Sequence, residues 1–229
     1  MISKIRLAIG IFAAFSSVNS FALAEPHHKT VLNQLVYEIR NPETKGEDFR
    51  KALEKIGEYL AIEVMDLLEQ KKVDVETLTN ASATHFLLEE QPVLVTILRA
   101  GVPLCMGVHK VFPDAEVGFI AMSRNEETLL PDVEYVAIPD IKDKSVILAD
   151  TMIATAGSIL DAIKIIEARG PKKIYIIGAI AAEPGIQRIK QAYPSVHIIA
   201  AAVDPTLNEK GYIVPGLGDA GDRAYGRKH

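Results

Sequence analysis

Residues 145–158 read Ser-Val-Ile-Leu-Ala-Asp-Thr-Met-Ile-Ala-Thr-Ala-Gly-Ser. Val146, Ile147, Leu148 and Ala149 form a short apolar run of the kind that makes a buried parallel strand. The run stops at Asp150, which puts a carboxylate at the strand's expected carboxyl end. Ala154, Thr155, Ala156, Gly157 and Ser158 make a loop of small and hydroxyl-bearing residues. Ile159, Ile163 and Ile166 follow at helical spacing, and Gly170-Pro171 closes the helix. A strand that feeds a helix through such a loop offers an anion free backbone N–H groups and the positive end of the helix dipole. Thr155 and Ser158 add hydroxyl donors, and Asp150 suits ribose hydroxyls, which donate to carboxylates. No Gly-Lys-Ser/Thr follows, so this is not a nucleoside-triphosphate loop. The stretch reads as a ribose-phosphate cradle; the plainer alternative is an ordinary strand–loop–helix connection with a capping Ser.

The flanking chain repeats the pattern. Val93–Leu98 is a buried strand that ends at Arg99-Ala100-Gly101, and open α/β sheets bind ligands at such strand ends. A short helix over 104–112 holds Cys105 as a small apolar residue. A strand over 117–122 follows, with Arg124 just beyond it, and then a polar loop over 125–134 and a strand over 135–138. Downstream come a strand over 174–182, a helix over 184–193 opened by Pro184, and a strand over 196–203. Strands alternating with helices imply a parallel sheet covered on both faces. Upstream, Thr44-x-x-Glu47 resembles a capping box. Phe49, Leu53, Ile56, Leu60, Val64 and Leu67 then give a helix to about residue 70 one apolar stripe, a sign of core packing rather than chemistry. Residues 71–91 read as irregular, with alternation over Val73–Leu78, a polar run from Asn80, and His85 a surface histidine. The fold class is α/β: a doubly wound, mostly parallel sheet with an N-terminal helical lead-in and a C-terminal loop.

The chain has 229 residues, 48% hydrophobic and 24% charged, with a net charge of −5. The acidic balance excludes a basic field for nucleic acid or anionic membranes, so phosphate binding must be local. Cys105 is the only cysteine, which excludes internal disulfides and cysteine zinc sites. Residues 1–24 stand apart. Lys4 and Arg6 precede an apolar stretch over 7–15, and Ala22-Leu23-Ala24 precedes Glu25. That order is a secretory signal pattern, and its apolar part is shorter than the roughly 20 residues of a membrane span. The expected organisation is a signal peptide over 1–24 and one domain over 25–229. In the tail, Gly216-x-Gly218-x-x-Gly221 matches a dinucleotide fingerprint in letters only, because no strand–helix unit follows it.

Four segments together resemble the uracil phosphoribosyltransferase family. They are Ile97-Leu98-Arg99-Ala100-Gly101, Arg124 with Glu127-Thr128-Leu129, residues 150–158, and Asn208-x-x-Gly211-Tyr212-Ile213-Val214-Pro215-Gly216-Leu217-Gly218-Asp219-Ala220-Gly221-Asp222-Arg223. Arg40 with Thr44 and Phe49-Arg50 is similar to the family's N-terminal pattern. The resemblance covers roughly residues 30–226 and implies a sheet of the phosphoribosyltransferase type with a C-terminal base-binding loop. It implies transfer of a 5-phosphoribosyl group from phosphoribosyl pyrophosphate to uracil, giving UMP and pyrophosphate in pyrimidine salvage. It places the donor's phosphate and ribose on Asp150, Thr151, Met152, Ile153, Ala154, Thr155, Ala156, Gly157 and Ser158, and the pyrophosphate on Arg99 and Arg124. It makes Asp150 and Arg124 the catalytic residues and gives uracil to Ile213, Gly218, Asp219 and Ala220, with Asp219 also near the donor. Mg²⁺ is expected on the donor's phosphates, with no metal site of the protein's own. A homo-oligomer and a GTP activator are further expectations, since relatives often assemble and some respond to GTP.

The chain departs from the family pattern at Thr151, where proline is usual, at Ala156, where the first of two glycines is usual, and at Ser123, where an aromatic is common. The Ala156 methyl is expected where backbone approaches phosphate. A non-catalytic nucleobase- or nucleotide-binding protein on the same fold is the second reading. The signal pattern implies export, whereas the donor is a cytosolic metabolite, which implies the cytoplasm.

Overall fold

The structure, a computed structural model, describes residues 28–124 and 131–227. The expected signal segment and residues 125–130 of the expected polar loop lie outside the described residues. The described chain opens with α1 (His28–Arg40) and α2 (Gly46–Met65), followed by a hairpin of β1 (Gln70–Glu76) and β2 (Ser82–Leu88). Next come β3 (Val93–Leu98), α3 (Val102–Val111), β4 (Val117–Arg124), β5 (Pro131–Ala137) and β6 (Ser145–Ile153). Then α4 (Gly157–Glu167), β7 (Lys173–Ala182), α5 (Glu183–Ala192) and β8 (His197–Asp204) complete the main sheet. Short strands β9 (Thr206–Leu207) and β10 (Ile213–Val214) and helix α6 (Ala220–Tyr225) form the C-terminal part.

Six strands form the main sheet in the order β5-β4-β3-β6-β7-β8. All neighbours are parallel except β5, which runs antiparallel to β4. From β3 the chain crosses through α3 to β4 on one side, and from β6 it crosses through α4 to β7 on the other. The strand order therefore reverses between β3 and β6, where a doubly wound sheet opens a crevice at its carboxyl edge.

Both faces are covered. Leu94, Ile147 and Tyr175 pack on the side of Leu53, Ile56 and Leu104 from α2 and α3. Their strand neighbours Val93, Val146 and Leu148 pack on the other side with Ile159, Ile163 and Ile166 of α4. Fully apolar strands are the consequence of this double burial. Helices α2 and α3 cross at glycines: a Cβ on Gly57 would lie 2.1 Å from the Leu104 carbonyl oxygen, and one on Gly107 would lie 1.8 Å from that of Glu54. Cys105 is buried beside this crossing, and burial pushes its thiol up to about 12, so it packs as a small apolar group.

Several expectations need correction. The N-terminal lead-in is helical as expected, from His28 to Arg40, and the corrections lie elsewhere. Thr44 does not cap α2, because its hydroxyl donates to the Glu38 carbonyl at 2.7 Å; the flanking Lys45 makes no side-chain cap. Helix α2 stops at Met65 rather than near residue 70. Leu67 N–H and Leu68 N–H turn back onto Val64 and Met65, and the Tyr175 hydroxyl takes the Leu67 carbonyl. Leu67 is thereby exposed and Leu68 buried, the reverse of the stripe. Residues 71–91 are mostly a regular antiparallel hairpin with an exposed His85, turning at Asn80 with φ +60°. Residues 131–134, expected in a loop, belong to β5. Strand β6 runs on to Ile153, so Asp150 lies within it, not at its end.

Candidate active site

The switch between β3 and β6 places two sequence-distant charges at one edge. Arg99 follows β3 directly, through a cis Leu98–Arg99 peptide. Its Nη2 donates to Asp222 Oδ1 at 3.1 Å and to the Gly226 carbonyl at 3.3 Å, while its Nε is buried without a partner. Beneath it, Gly101 is required, since a Cβ there would lie 2.4 Å from Thr96 Oγ1 and 2.8 Å from the Ala149 carbonyl oxygen.

On β6, Asp150 is buried, and burial pushes its carboxyl up to about 7 against the opposing pull of the Thr151 and Met152 N–H groups. Thr151 faces away: it is fully buried and its hydroxyl donates to the Ala100 carbonyl at 2.6 Å. It thus ties β6 to the turn that carries Arg99. Met152, Ala154 and Ser158 line the cleft, whereas Ile153 packs in the core. Thr155 is exposed, with its hydroxyl 3.5 Å from the Gly157 N–H. Gly157 begins α4, and Ser158 lies one residue inside it rather than capping it.

The C-terminal loop reaches the same edge. Asp219 caps α6 by accepting the Asp222 N–H at 2.8 Å, and it lines the cleft with Gly221. Ile213 and Ala220 are buried in the core, and Gly218 is exposed with φ +83°; none of these three lines the cleft. The cleft itself has a volume of about 220 Å³ and brings together Arg99, Asp150, Met152, Ala154, Ser158 and Asp219. Arg124 ends β4, and its side chain lies outside what is described. A larger groove of about 750 Å³ between α1 and α2 is lined by Lys45, Lys51, Lys55 and Lys110, the last three paired with glutamate, and by Glu38, Glu43 and Asp48. Its mixed charge makes it a poorer anion site than the cleft.

The sequence model of the uracil phosphoribosyltransferase family matches residues 26–227. This chain belongs to the uracil phosphoribosyltransferase family. The uracil phosphoribosyltransferase of Clostridium kluyveri is 42% identical over 202 residues, which span 88% of this chain and 96% of its own length. That of Clostridium botulinum is equally similar over the same share. A solved protein of Aquifex aeolicus is 36% identical and superposes with a TM-score of 0.79, over 86% of this chain and 94% of its own. Six-stranded, mostly parallel and doubly wound, the fold is of the phosphoribosyltransferase type.

Against the family pattern, Ala156 behaves differently from its expectation. It sits at φ +65°, the left-handed region that favours glycine, but it is buried and packs with the α4-side core. Its methyl is therefore turned inward rather than toward the cleft. Ala156→Gly would relieve about 1 kcal/mol of left-handed strain but free the unfolded chain by about 0.4–1 kcal/mol. It is expected to shift stability by less than about 1 kcal/mol and to change donor KM by less than about threefold; a tenfold gain in donor affinity would mean the methyl does oppose phosphate.

Two supports escaped sequence reasoning. Arg188 Nη1 on α5 donates to the Thr155 carbonyl at 2.9 Å, and Gly185 lets α5 lie against the loop, since a Cβ there would come 2.2 Å from the Ala154 carbonyl oxygen. The only signal was a glycine in the first turn of the helix after a buried strand.

Arg99→Ala is expected to leave the fold intact, because its Asp222 partner is a third exposed and such pairs contribute about 0–1 kcal/mol. Donor KM should rise roughly tenfold to hundredfold, the effect of a lost hydrogen bond to a charged group at about 1.5–3 kcal/mol. Steady-state kinetics with varied donor, beside a melting curve, check it; unchanged donor KM would remove Arg99 from the site.

Proposed function

We propose that this chain transfers the 5-phosphoribosyl group from phosphoribosyl pyrophosphate to uracil, releasing pyrophosphate and forming UMP in pyrimidine salvage. The observation that carries the reading is the convergence of Arg99, Asp150 and Asp219 on one cleft at the strand-order switch. Arg99 and Arg124 take the pyrophosphate, for which a guanidinium fork is suited. Asp150 accepts the ribose hydroxyls, and its ionisation is completed when those donors replace the water it lacks. Residues 154–158 hold the 5-phosphate with backbone N–H groups at the start of α4. Ile213, Gly218, Asp219 and Ala220 form the base loop, whose backbone complements uracil's donor and acceptor edge. Uracil displaces pyrophosphate at the anomeric carbon, and the fixed charges act where negative charge develops on the leaving group.

Among the described residues no cluster of three or more His, Cys, Asp or Glu side chains could hold a metal. Asp150 and Asp219 are the cleft carboxylates that would meet Mg²⁺ entering on the donor's oxygens. When bound, Mg²⁺ neutralises charge on the leaving pyrophosphate.

Labelled uracil supplied with donor to the protein lacking residues 1–24 should yield labelled UMP. Tight UMP binding without turnover would instead establish the non-catalytic reading. Self-association belongs to the proposal: Leu78 and Phe86 stand exposed on the β1–β2 hairpin, and a second copy would cover them. Residues 1–24 are proposed as a removable leader, in keeping with a family match that begins at residue 26. No described helix is long and apolar enough to cross a membrane.

A further inference from the structure

We infer that Arg40 and Asp204 are positioning residues for base recognition: together they grip the loop between Ile213 and Gly218 from behind and set its shape. The inference rests on the proposed role of that loop. Asp204, the last residue of β8, is 4% exposed. Its Oδ2 accepts the Gly216 N–H at 2.9 Å and Arg40 Nη1 at 2.9 Å, and its Oδ1 accepts Arg40 Nη2 at 2.6 Å. The same Nη1 also donates to the Gly216 carbonyl at 2.9 Å. One residue of the loop is thus held at both its N–H and its C=O by a single carboxylate–guanidinium pair.

Gly216 is where the loop doubles back. Its φ is +58°, and a Cβ there would lie 2.1 Å from the Ile213 carbonyl oxygen. No side chain at this position can choose the path; buried Ile213 and Leu217 anchor the loop on either side, and the polar grip fixes it between them. Gly218 shares the left-handed backbone, at φ +83°, but unlike Gly216 it faces open space. A buried ion pair contributes little net stability, because its desolvation offsets its attraction. Its use here is to select one loop conformation, which a planar fork does better than a point charge. Neither residue lines the donor cleft, and Arg99 and Asp150 are held by other strands. The pair should therefore act on one substrate and not on the other.

The test combines kinetics and amide exchange on the full chain. Arg40→Gln and Asp204→Asn should each raise KM for uracil roughly tenfold or more, the scale of a misplaced contact, while kcat and donor KM stay within about threefold. Arg40→Lys should fall between parent and Arg40→Gln, and it replaces either variant that fails to fold. Exchange should accelerate at residues 213–218 and stay at parental rates in β6. An equal rise in both KM values, or an unchanged uracil KM with a loosened loop, overturns the assignment. If the parent makes no UMP, the functional reading fails separately. Local acceleration over 213–218 would then still support the grip, and acceleration throughout the chain, or none, would overturn it.

Discussion

Asp150→Asn is expected to lower turnover by roughly 100-fold or more, the scale of a lost positioning contact, and yet to raise the melting temperature at neutral pH. The two effects have one cause. Asp150 is buried, and burial raises its carboxyl to about 7, against 3.8 as its ordinary value. Between those values the folded chain holds a proton that the unfolded chain has lost. Stability therefore falls as pH rises through that window and is lowest above about 7. Asparagine carries no charge to desolvate and still accepts from the Thr151 and Met152 N–H groups. The variant's advantage should be absent below pH 4, grow to about pH 7 and level off, reaching up to about 4 kcal/mol. Thermal melts at pH 4, 6 and 8, beside single-turnover rates, check both halves. A variant that melts well below its parent at pH 8, with its folded fraction fully active, would make Asp150 a structural residue.

Gly107→Ala is the second expectation, and its effect falls on folding. The added methyl would sit 1.8 Å from the Glu54 carbonyl oxygen, 2.7 Å from its carbon and 3.0 Å from its Cα. All three are backbone atoms of α2, so no side chain can rotate aside. The helices must part, and with them the contacts of Leu53, Ile56, Leu104 and Val108, all fully buried. Overpacking of this kind costs about 1–3 kcal/mol and occasionally more; a rigid backbone neighbour puts this site at or above the upper end. Denaturant unfolding with parent and variant decides it. A loss below about 1 kcal/mol would mean the crossing is looser than it stands. Gly57→Ala meets the Leu104 carbonyl from the opposite helix, and the two losses should not add, since one separation relieves both.

Much of the central sheet was legible because double burial writes itself as apolar runs. Residues 146–149 and Val93–Leu98 could hardly be anything but interior strands, and the charged residue after each pointed to the binding edge. The hairpin over 70–88 was legible only in part: the alternation over Val73–Leu78 hints at its first strand, but neither face is buried and the polar run over 80–85 hides the second. The end of α2 was hidden for a different reason. No glycine or proline marks it, and the chain stops where the Tyr175 hydroxyl, 108 residues away, takes a carbonyl. Within the cleft, residue types suggested the proposed chemistry, but the directions of Thr151 and Ala156 depended on backbone angles that composition does not carry. Arg40 entered only through a resemblance and Asp204 not at all, because nothing local joins two residues 164 apart.

That last pairing also orders events in time. Arg40 is separated from Asp204 by 164 residues, and Arg223, which donates to the Asn41 carbonyl, by 182. At a synthesis rate of roughly 5–20 residues per second, Arg40 waits roughly 10–30 s on the ribosome for its carboxylate. Strands β3 and β6, with Arg99 and Asp150, have been made by then. A nascent chain thus has the strands proposed to bind phosphate in hand well before the loop proposed to choose its base, and a chain cut short after β8 keeps the grip with nothing to hold.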